Sequence, residues 1–148
     1  MRARGPGLGA RVGALGLGFL WFGMLWYPAL AGFTAAAGQE MKSVKSGVYS
    51  ASQAERGETL YKKHCASCHA PSRFTDDQLF LTPYAGKPLG EMFEVISDSM
   101  PEDNPGGLKP EEYADVIAVL LKMNGFPTGQ EDLPPSKDVL GTIRFEKP

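Results

Sequence analysis

One pentapeptide, Cys65-Ala66-Ser67-Cys68-His69, holds both cysteines of the 148-residue chain and one of its two histidines. Two cysteines are too few for a scaffold built on several disulfides. Two histidines likewise exclude most metal sites that are built from several imidazoles. We therefore expect the chemistry of this chain to depend on this one segment.

The spacing C-x-x-C-H is the attachment signature of c-type haem. Two cysteines three residues apart at a helix end reach the two vinyl groups of one porphyrin, and the adjacent histidine becomes an axial ligand of the iron. A zinc site would need further ligands, and nothing downstream completes a set. A thioredoxin-like pair expects a preceding strand, and a disulfide here would close too small a loop to add much stability. The motif predicts one covalent haem c on Cys65 and Cys68, with His69 on the iron.

The first 39 residues predict an export leader. They contain three arginines and no acidic residue, and an uncharged apolar stretch runs from Val12 to Ala31. This order is typical of a signal peptide, which we predict over residues 1–31, with a second cleavage site after Ala37. An uncleaved anchor in the inner membrane is the alternative, because about 20 apolar residues can span a bilayer. Both interpretations put the remaining chain in the periplasm, which agrees with covalent haem attachment outside the cytoplasm.

Removing the leader changes the charge balance. The whole sequence has 15 Lys+Arg and 17 Asp+Glu, for a formal net charge of −2. Loss of the three leader arginines leaves 12 basic residues, so the remaining chain is distinctly acidic. This argues against nucleic acid as a partner and favours a basic protein partner. Asp98, Glu102 and Asp103 are candidates for its docking rim, although a solvated loop is the simpler interpretation.

The second axial position of the iron needs another ligand. His64 is one residue from Cys65 and cannot swing to the far face of the haem, so a methionine thioether is the leading candidate. The methionines beyond the leader are Met41, Met92, Met100 and Met123. We predict Met100 as the ligand, because it follows a predicted helix, precedes a proline and lies 31 residues beyond His69.

The chain beyond the leader predicts about three helices and no strand. A capping-box pattern at Ser52 and apolar residues at helical spacing indicate a helix over residues 52–65. Gly57 in its middle suggests close approach of another helix. A short helix over 89–97 and an amphipathic helix beginning at Pro110 follow. The predicted fold class is all-α.

Composition divides the chain beyond the leader into three parts. Residues 32–50 are predicted to be a linker or arm, and the part from Gly38 to Ser50 is rich in Ser, Lys and Gly. Residues 51–127 contain the motif and the predicted helices and are assigned to the haem domain. Residues 128–148, with two adjacent prolines and mixed charges, are predicted to form an extended tail.

The motif at Cys65–His69, together with Ser99-Met100-Pro101 before a proline-initiated helix, resembles a class I cytochrome c. The residues that match the first and last helices of that family are Gly57, Tyr61, Tyr113, Leu120 and Leu121. The resemblance implies a cytochrome c-like fold. In that fold the N- and C-terminal helices cross, and about three helices surround one haem.

A narrower resemblance covers roughly residues 52–146. The run from Met100 to Gly129, with PLGEMFEVI before it and IRF after it, is similar to a group of dehydrogenase-associated cytochromes. These are the cytochrome subunits and domains of pyrroloquinoline-quinone alcohol and sugar dehydrogenases. As an alternative function, this resemblance implies a dedicated electron-acceptor subunit of such an enzyme.

We predict a periplasmic electron carrier without enzymatic activity of its own. With side chains on both axial positions, the iron has no open site for oxygen or peroxide, as an enzyme or gas sensor would need. Its partners are then the redox proteins that give and take the electron. The sequence leaves open whether Pro71 or Pro83 supports the ring of His69. The candidates for binding the haem propionates, each equally a solvated surface residue, are Arg73, Tyr84 and Lys87.

Overall fold

A computed structural model describes residues 40–148, and the signal peptide or anchor predicted at the N-terminus lies outside them. The helices are α1 (Ala51–His64), α2 (Pro71–Thr75), α3 (Thr82–Tyr84), α4 (Leu89–Ser99), α5 (Pro110–Met123) and α6 (Lys137–Leu140). The other elements are a 3-10 turn (Val44–Ser46), a π-helical turn (Asp77–Leu81) and two short strands, β1 (Lys42–Ser43) and β2 (Ile143–Arg144). This mostly helical architecture confirms the predicted all-α class. Of the helices in residues 40–148, none has the length and apolar character needed to cross a membrane.

Helices α1 and α5 pack directly against each other. A β-carbon at Gly57 would lie 2.0 Å from the backbone oxygen of Asp115 and 3.1 Å from the side chain of Val119. Since only glycine lacks a β-carbon, only glycine allows the two helices to come this close. The predicted role of Gly57 as the point of close approach is confirmed.

The start of α1 differs from the sequence prediction. Ser50 caps the helix, because its hydroxyl accepts a hydrogen bond from the N–H of Gln53 at 3.0 Å. The cap expected at Ser52 is therefore wrong by two residues, since either serine satisfies the local pattern. The helix ends at His64, so the motif begins directly at a helix end.

Helix α5 forms the centre of the hydrophobic core. Nine consecutive residues, Tyr113 through Leu121, are buried, because α1 and α4 both pack against this helix. Helix α4 adds Leu89, Met92 and Phe93 to the same core. Met92 is thus a core residue, as expected for a methionine in the middle of a helix.

Residues 128–148 pack against the core, although the sequence favours an extended tail. Helix α6 and strand β2 lie in this segment, and β2 pairs in parallel with β1. Its buried side chains are Leu133, Leu140, Ile143 and Phe145. These side chains are covered by residues distant in the chain, so local periodicity does not predict their burial.

Residues 40–50, which the sequence assigns to an arm, also contribute to the core. Val44 and Tyr49 are buried. The hydroxyl of Tyr49 donates to the backbone oxygen of Phe126 at 2.6 Å, and the backbone oxygen of Tyr49 accepts from the N–H of Gly129 at 2.6 Å. This segment is thereby joined to the residues that directly follow α5.

Candidate functional site

A cavity of about 610 Å³ lies between the C-terminal end of α1, the end of α4 and one side of α5. Cys65, Cys68 and His69 form part of its lining, and Met100 lines it as well. The structure therefore brings all four predicted site residues to one cavity. A volume of this order is usual for cofactor pockets, which range over about 300–1,000 Å³.

The motif forms a tight turn directly after α1. The N–H groups of Cys65 and Ala66 both donate to the backbone oxygen of Tyr61 at 2.9 Å. Those of Cys68 and His69 donate to the backbone oxygen of Cys65 at 3.1 and 2.9 Å. Both cysteines are free thiols, and burial raises the pKa of the Cys65 thiol. Backbone hydrogen bonds thus shape the turn that carries both cysteines at the cavity.

His69 is supported on its backbone and on its ring. Its backbone oxygen accepts a hydrogen bond from the hydroxyl of Tyr61, and its ring lies edge-to-face against Phe74 at 5.7 Å between centroids. Burial, together with the neighbouring Cys65, raises the pKa of the Tyr61 hydroxyl, which keeps it protonated as a donor. His64, the last residue of α1, is half-buried and lines the same cavity.

Met100 directly follows α4, and both of its backbone polar groups are bonded. Its N–H donates to the backbone oxygen of Ile96 at 2.9 Å. Its backbone oxygen accepts from the hydroxyl of Tyr113 at 2.8 Å. The side chain of Met100 is half-buried at the cavity wall.

The other methionines of residues 40–148 lie away from this cavity. Met92 is buried in the core, and Met123 lines a separate groove beside α1 and α5. The sulfur of Met41 contacts the guanidinium of Arg144 at 3.7 Å. Within the described part of the chain, Met100 is therefore the methionine that the fold offers to the cavity.

Apolar side chains of residues 70–88 form much of the cavity wall. The sequence indicates only that this segment is not one regular helix or strand. Phe74 lies on α2 and Phe80 on the π-helical turn, with their rings edge-to-face at 5.4 Å. Asp76 begins that turn, because its carboxylate accepts hydrogen bonds from the N–H groups of Gln78 and Leu79 at 2.8 Å each. The turn has no 3.6-residue period, so periodicity does not detect it. The available signal was the presence of large aromatic residues in a proline-rich segment.

Charged residues of both signs line the cavity. Glu102 and Asp103 follow Met100, whereas Lys63 and Arg73 lie on the side of the motif. The exposed Asp98 is not among the lining residues. The border of the cavity is therefore mixed in charge.

Two of the three propionate candidates line the cavity. Arg73 and Tyr84 do so, and burial together with the charge of Glu91 raises the pKa of the Tyr84 hydroxyl. Lys87 is not part of the lining. Its ammonium pairs with Glu91 at 3.6 Å and lies 5.9 Å from the centre of the Tyr84 ring.

The residues present fit a haem c. Two free thiols at the C-x-x-C spacing, an adjacent imidazole and a thioether line one cavity that also has apolar walls. These are the groups that bind and ligate the haem of c-type cytochromes. The mostly helical fold and this site are consistent with a cytochrome c domain.

The family comparison supports the same class. Residues 52–119 match the family model described as cytochrome c oxidase, cbb3-type, subunit III. The matched segment runs from the start of α1 into α5, covers less than half of the chain and supports a cytochrome c domain, a class that performs haem-based electron transfer. Its cofactor is covalently bound haem c with iron, as the motif predicts, and its partners are redox proteins. Comparisons with curated proteins and with solved structures found no match.

Proposed function

We propose that this chain is a periplasmic carrier of single electrons in which Cys65 and Cys68 bind the haem and His69 and Met100 ligate the iron. The observation that supports this proposal most directly is that all four side chains line one cavity. Met100 is distant from the motif in sequence, so its presence there depends on the fold. When bound, the haem supplies reversible one-electron transfer between ferrous and ferric iron.

The protein's contribution in this proposal is to hold the ligands and exclude water. Apolar side chains such as Phe74, Phe80 and Leu120 line the cavity. An apolar environment and a thioether ligand both raise the reduction potential relative to a solvated site with two imidazoles. With His69 and Met100 both ligating the iron, the bound haem would have no open position for oxygen or peroxide. These features favour a carrier over an enzyme.

The axial ligation is tested on protein exported and matured with haem. We expect the purified protein to carry covalent haem with a low-spin spectrum and a sulfur-to-iron charge-transfer band in the ferric state. Met100→Ala should abolish this band and allow rapid binding of cyanide. Met123→Ala is the matched control, because Met123 lines a separate groove and its loss should leave the band unchanged. A protein without covalent haem, or a band that survives Met100→Ala, would contradict the proposal.

Export to the periplasm is the second element of the proposal. It rests on the basic and apolar leader of residues 1–31 and on the requirement that haem c be attached outside the cytoplasm. N-terminal sequencing of protein from the periplasmic fraction should begin after Ala31 or Ala37. A full-length chain in the membrane fraction would instead support the uncleaved anchor.

The alternative function is that of a dedicated acceptor for a quinoprotein dehydrogenase. It rests on the sequence resemblance over residues 52–146 alone. In this case a pyrroloquinoline-quinone alcohol or sugar dehydrogenase should reduce the ferric protein much faster than it reduces an unrelated cytochrome c. If Glu102 and Asp103 form a docking rim, this rate should fall steeply as salt rises. Equal rates with both cytochromes would argue for a general carrier.

A further inference from the structure

Two buried tyrosines donate hydrogen bonds to the backbone oxygens of the two proposed axial ligands. Tyr61 on α1 donates to His69, and Tyr113 on α5 donates to Met100 at 2.8 Å. The two tyrosine side chains are almost completely buried, with 4% and 3% of their surface exposed. Each of the two packed helices therefore holds one ligand segment.

The two ligand segments differ in what else holds them. Around His69, four backbone N–H groups donate within the turn or to the end of α1, and the proposed thioethers add covalent links. Met100 has one backbone bond, to Ile96, before the chain continues into the loop that leads to α5. The hydroxyl of Tyr113 is thus the additional constraint on the Met100 side.

The Tyr113 hydroxyl joins both ends of this loop. It donates to the oxygen of Met100, and it accepts a hydrogen bond from the N–H of Leu108 at 3.3 Å. Its ring is packed edge-to-face against Phe93 at 6.2 Å. The packing of the ring in the core therefore fixes the position of the hydroxyl. The hydroxyl in turn holds the start and the end of the loop through its two hydrogen bonds.

We propose that Tyr113 is a positioning residue that keeps Met100 in place as an iron ligand. This inference rests on the proposed function, because it requires Met100 to ligate the iron. Without the hydroxyl, the oxygen of Met100 and the N–H of Leu108, both only partly buried, each lose a hydrogen-bond partner, which lowers the stability of the loop. Movement of the loop away from the iron then becomes easier.

The test measures how often Met100 leaves the iron in the ferric holoprotein. Imidazole binds only when the methionine dissociates, so its limiting binding rate reports that event. Tyr113→Phe removes one hydroxyl and should raise this rate by about two- to tenfold, as expected for one lost hydrogen bond. The sulfur-to-iron band should also disappear at a lower temperature.

Tyr49→Phe is the matched control for this substitution. Tyr49 is buried and its hydroxyl also donates to a backbone oxygen, but that oxygen belongs to Phe126 and not to a proposed iron ligand. This variant should lose stability without a change in the imidazole rate. Equal rates for Tyr113→Phe and Tyr49→Phe would overturn the positioning role. A wild-type protein that lacks the sulfur-to-iron band would overturn both this inference and the proposed ligation.

A second measurement needs no substitution. Imidazole displaces Met100, so it should disturb the hydroxyl of Tyr113 and accelerate amide exchange at Leu108 in the wild-type holoprotein. The amide of Gly129, bonded to the oxygen of Tyr49 at 2.6 Å, serves as the internal reference. Unchanged exchange at Leu108 in the imidazole complex would contradict the inference.

Discussion

Two regions of this protein are built in different ways: one is the contact between helices α1 and α5, and the other is the cavity. At Gly57 the two helices meet so closely that a β-carbon would lie 2.0 Å from the backbone oxygen of Asp115. At the cavity the polypeptide leaves about 610 Å³ between its walls, and Leu79 and Val95 on its lining are 57% and 53% exposed. The polypeptide alone therefore completes the helix contact, whereas it leaves apolar side chains uncovered at the cavity, where the proposed haem site lies.

Removing the attachment of the haem should have the largest effect. We expect Cys65→Ser combined with Cys68→Ser to lower the free energy of unfolding by about 5 kcal/mol, because several partly exposed apolar side chains lose their cover at roughly 1.5–3 kcal/mol per fully buried side chain. Chemical denaturation measures the loss. Amide exchange should show that the loss of protection is concentrated in residues 74–84, whereas the buried residues of α5 should remain the most protected.

Ser67→Ala provides the control, because it changes the exposed spacer of the motif and keeps both thiols. It should retain the haem and its stability. A loss of protection that is equally large in α5 and in residues 74–84 would show that the helix contact also depends on the haem.

The helix contact itself is tested at Gly57. Gly57→Val should lower stability by about 3 kcal/mol or more, because the new side chain forces the two backbones apart. Thr59→Val introduces the same residue at an exposed position of the same helix and should change stability by less than about 0.5 kcal/mol. Thermal unfolding of the two holoproteins gives the comparison. Similar melting temperatures for the two variants would mean that the helices can separate at little cost.

A smaller effect is expected at the ion pairs that join the same two helices. Arg56 on α1 makes two hydrogen bonds to Asp115 on α5, at 2.9 and 3.0 Å, and the carboxylate of Asp115 is only 8% exposed. Arg56→Met leaves this buried carboxylate without its main partner and should cost about 1–2 kcal/mol. Lys122→Met breaks the pair with Glu58 between the same helices, but both of those side chains are half-exposed, so the loss should be clearly smaller. Equal losses in denaturant unfolding would show that burial of Asp115 does not matter.

The spacing of residues close together in the sequence was sufficient to predict the features of this protein that depend on local sequence. The motif at Cys65–His69 predicted the haem, Gly57 predicted the helix contact, and the position of Met100 after a helix predicted its place at the site. The haem and the close approach at Gly57 are confirmed, and the structure brings Met100 to the cavity lining. The ligand roles of His69 and Met100 stay predictions.

The remaining features depend on contacts between residues far apart in the chain. Tyr113 could be assigned to the last helix, but its bond to Met100 follows from how the loop returns to α5. The burial of Leu140 and Phe145 likewise requires the C-terminal segment to fold back on the core. Residues 70–88 form short and irregular helical turns, whose apolar residues do not recur at a regular helical spacing. Sequence patterns therefore located the four predicted site residues better than they located the walls of the cavity.

The smallest expected effect concerns pH at the edge of the helix contact. Asp132 accepts hydrogen bonds from the hydroxyl of Ser50 and from the guanidinium of Arg56, the latter at 2.6 Å, and these bonds lower the pKa of Asp132. A lowered pKa means that the folded protein holds this proton less tightly than the unfolded chain. The resulting stability is complete above the ordinary aspartate pKa of about 4 and is lost as the pH falls through the lower pKa of the folded state.

Asp132→Asn should therefore lower stability by about 0.5 kcal/mol at pH 7, since its carboxylate and Arg56 are both nearly half-exposed. The difference from the wild type should shrink below about pH 4, where the unfolded wild-type chain takes up the proton before the folded protein does. Asp103→Asn, at the cavity, is the control, because no ion pair within the described residues involves Asp103, so this variant should leave stability at pH 7 unchanged. Urea unfolding between pH 3 and pH 7 measures both variants. A pH-independent difference for Asp132→Asn would mean that its ion pair adds nothing to the helix contact, and that close packing at Gly57 is sufficient to hold it.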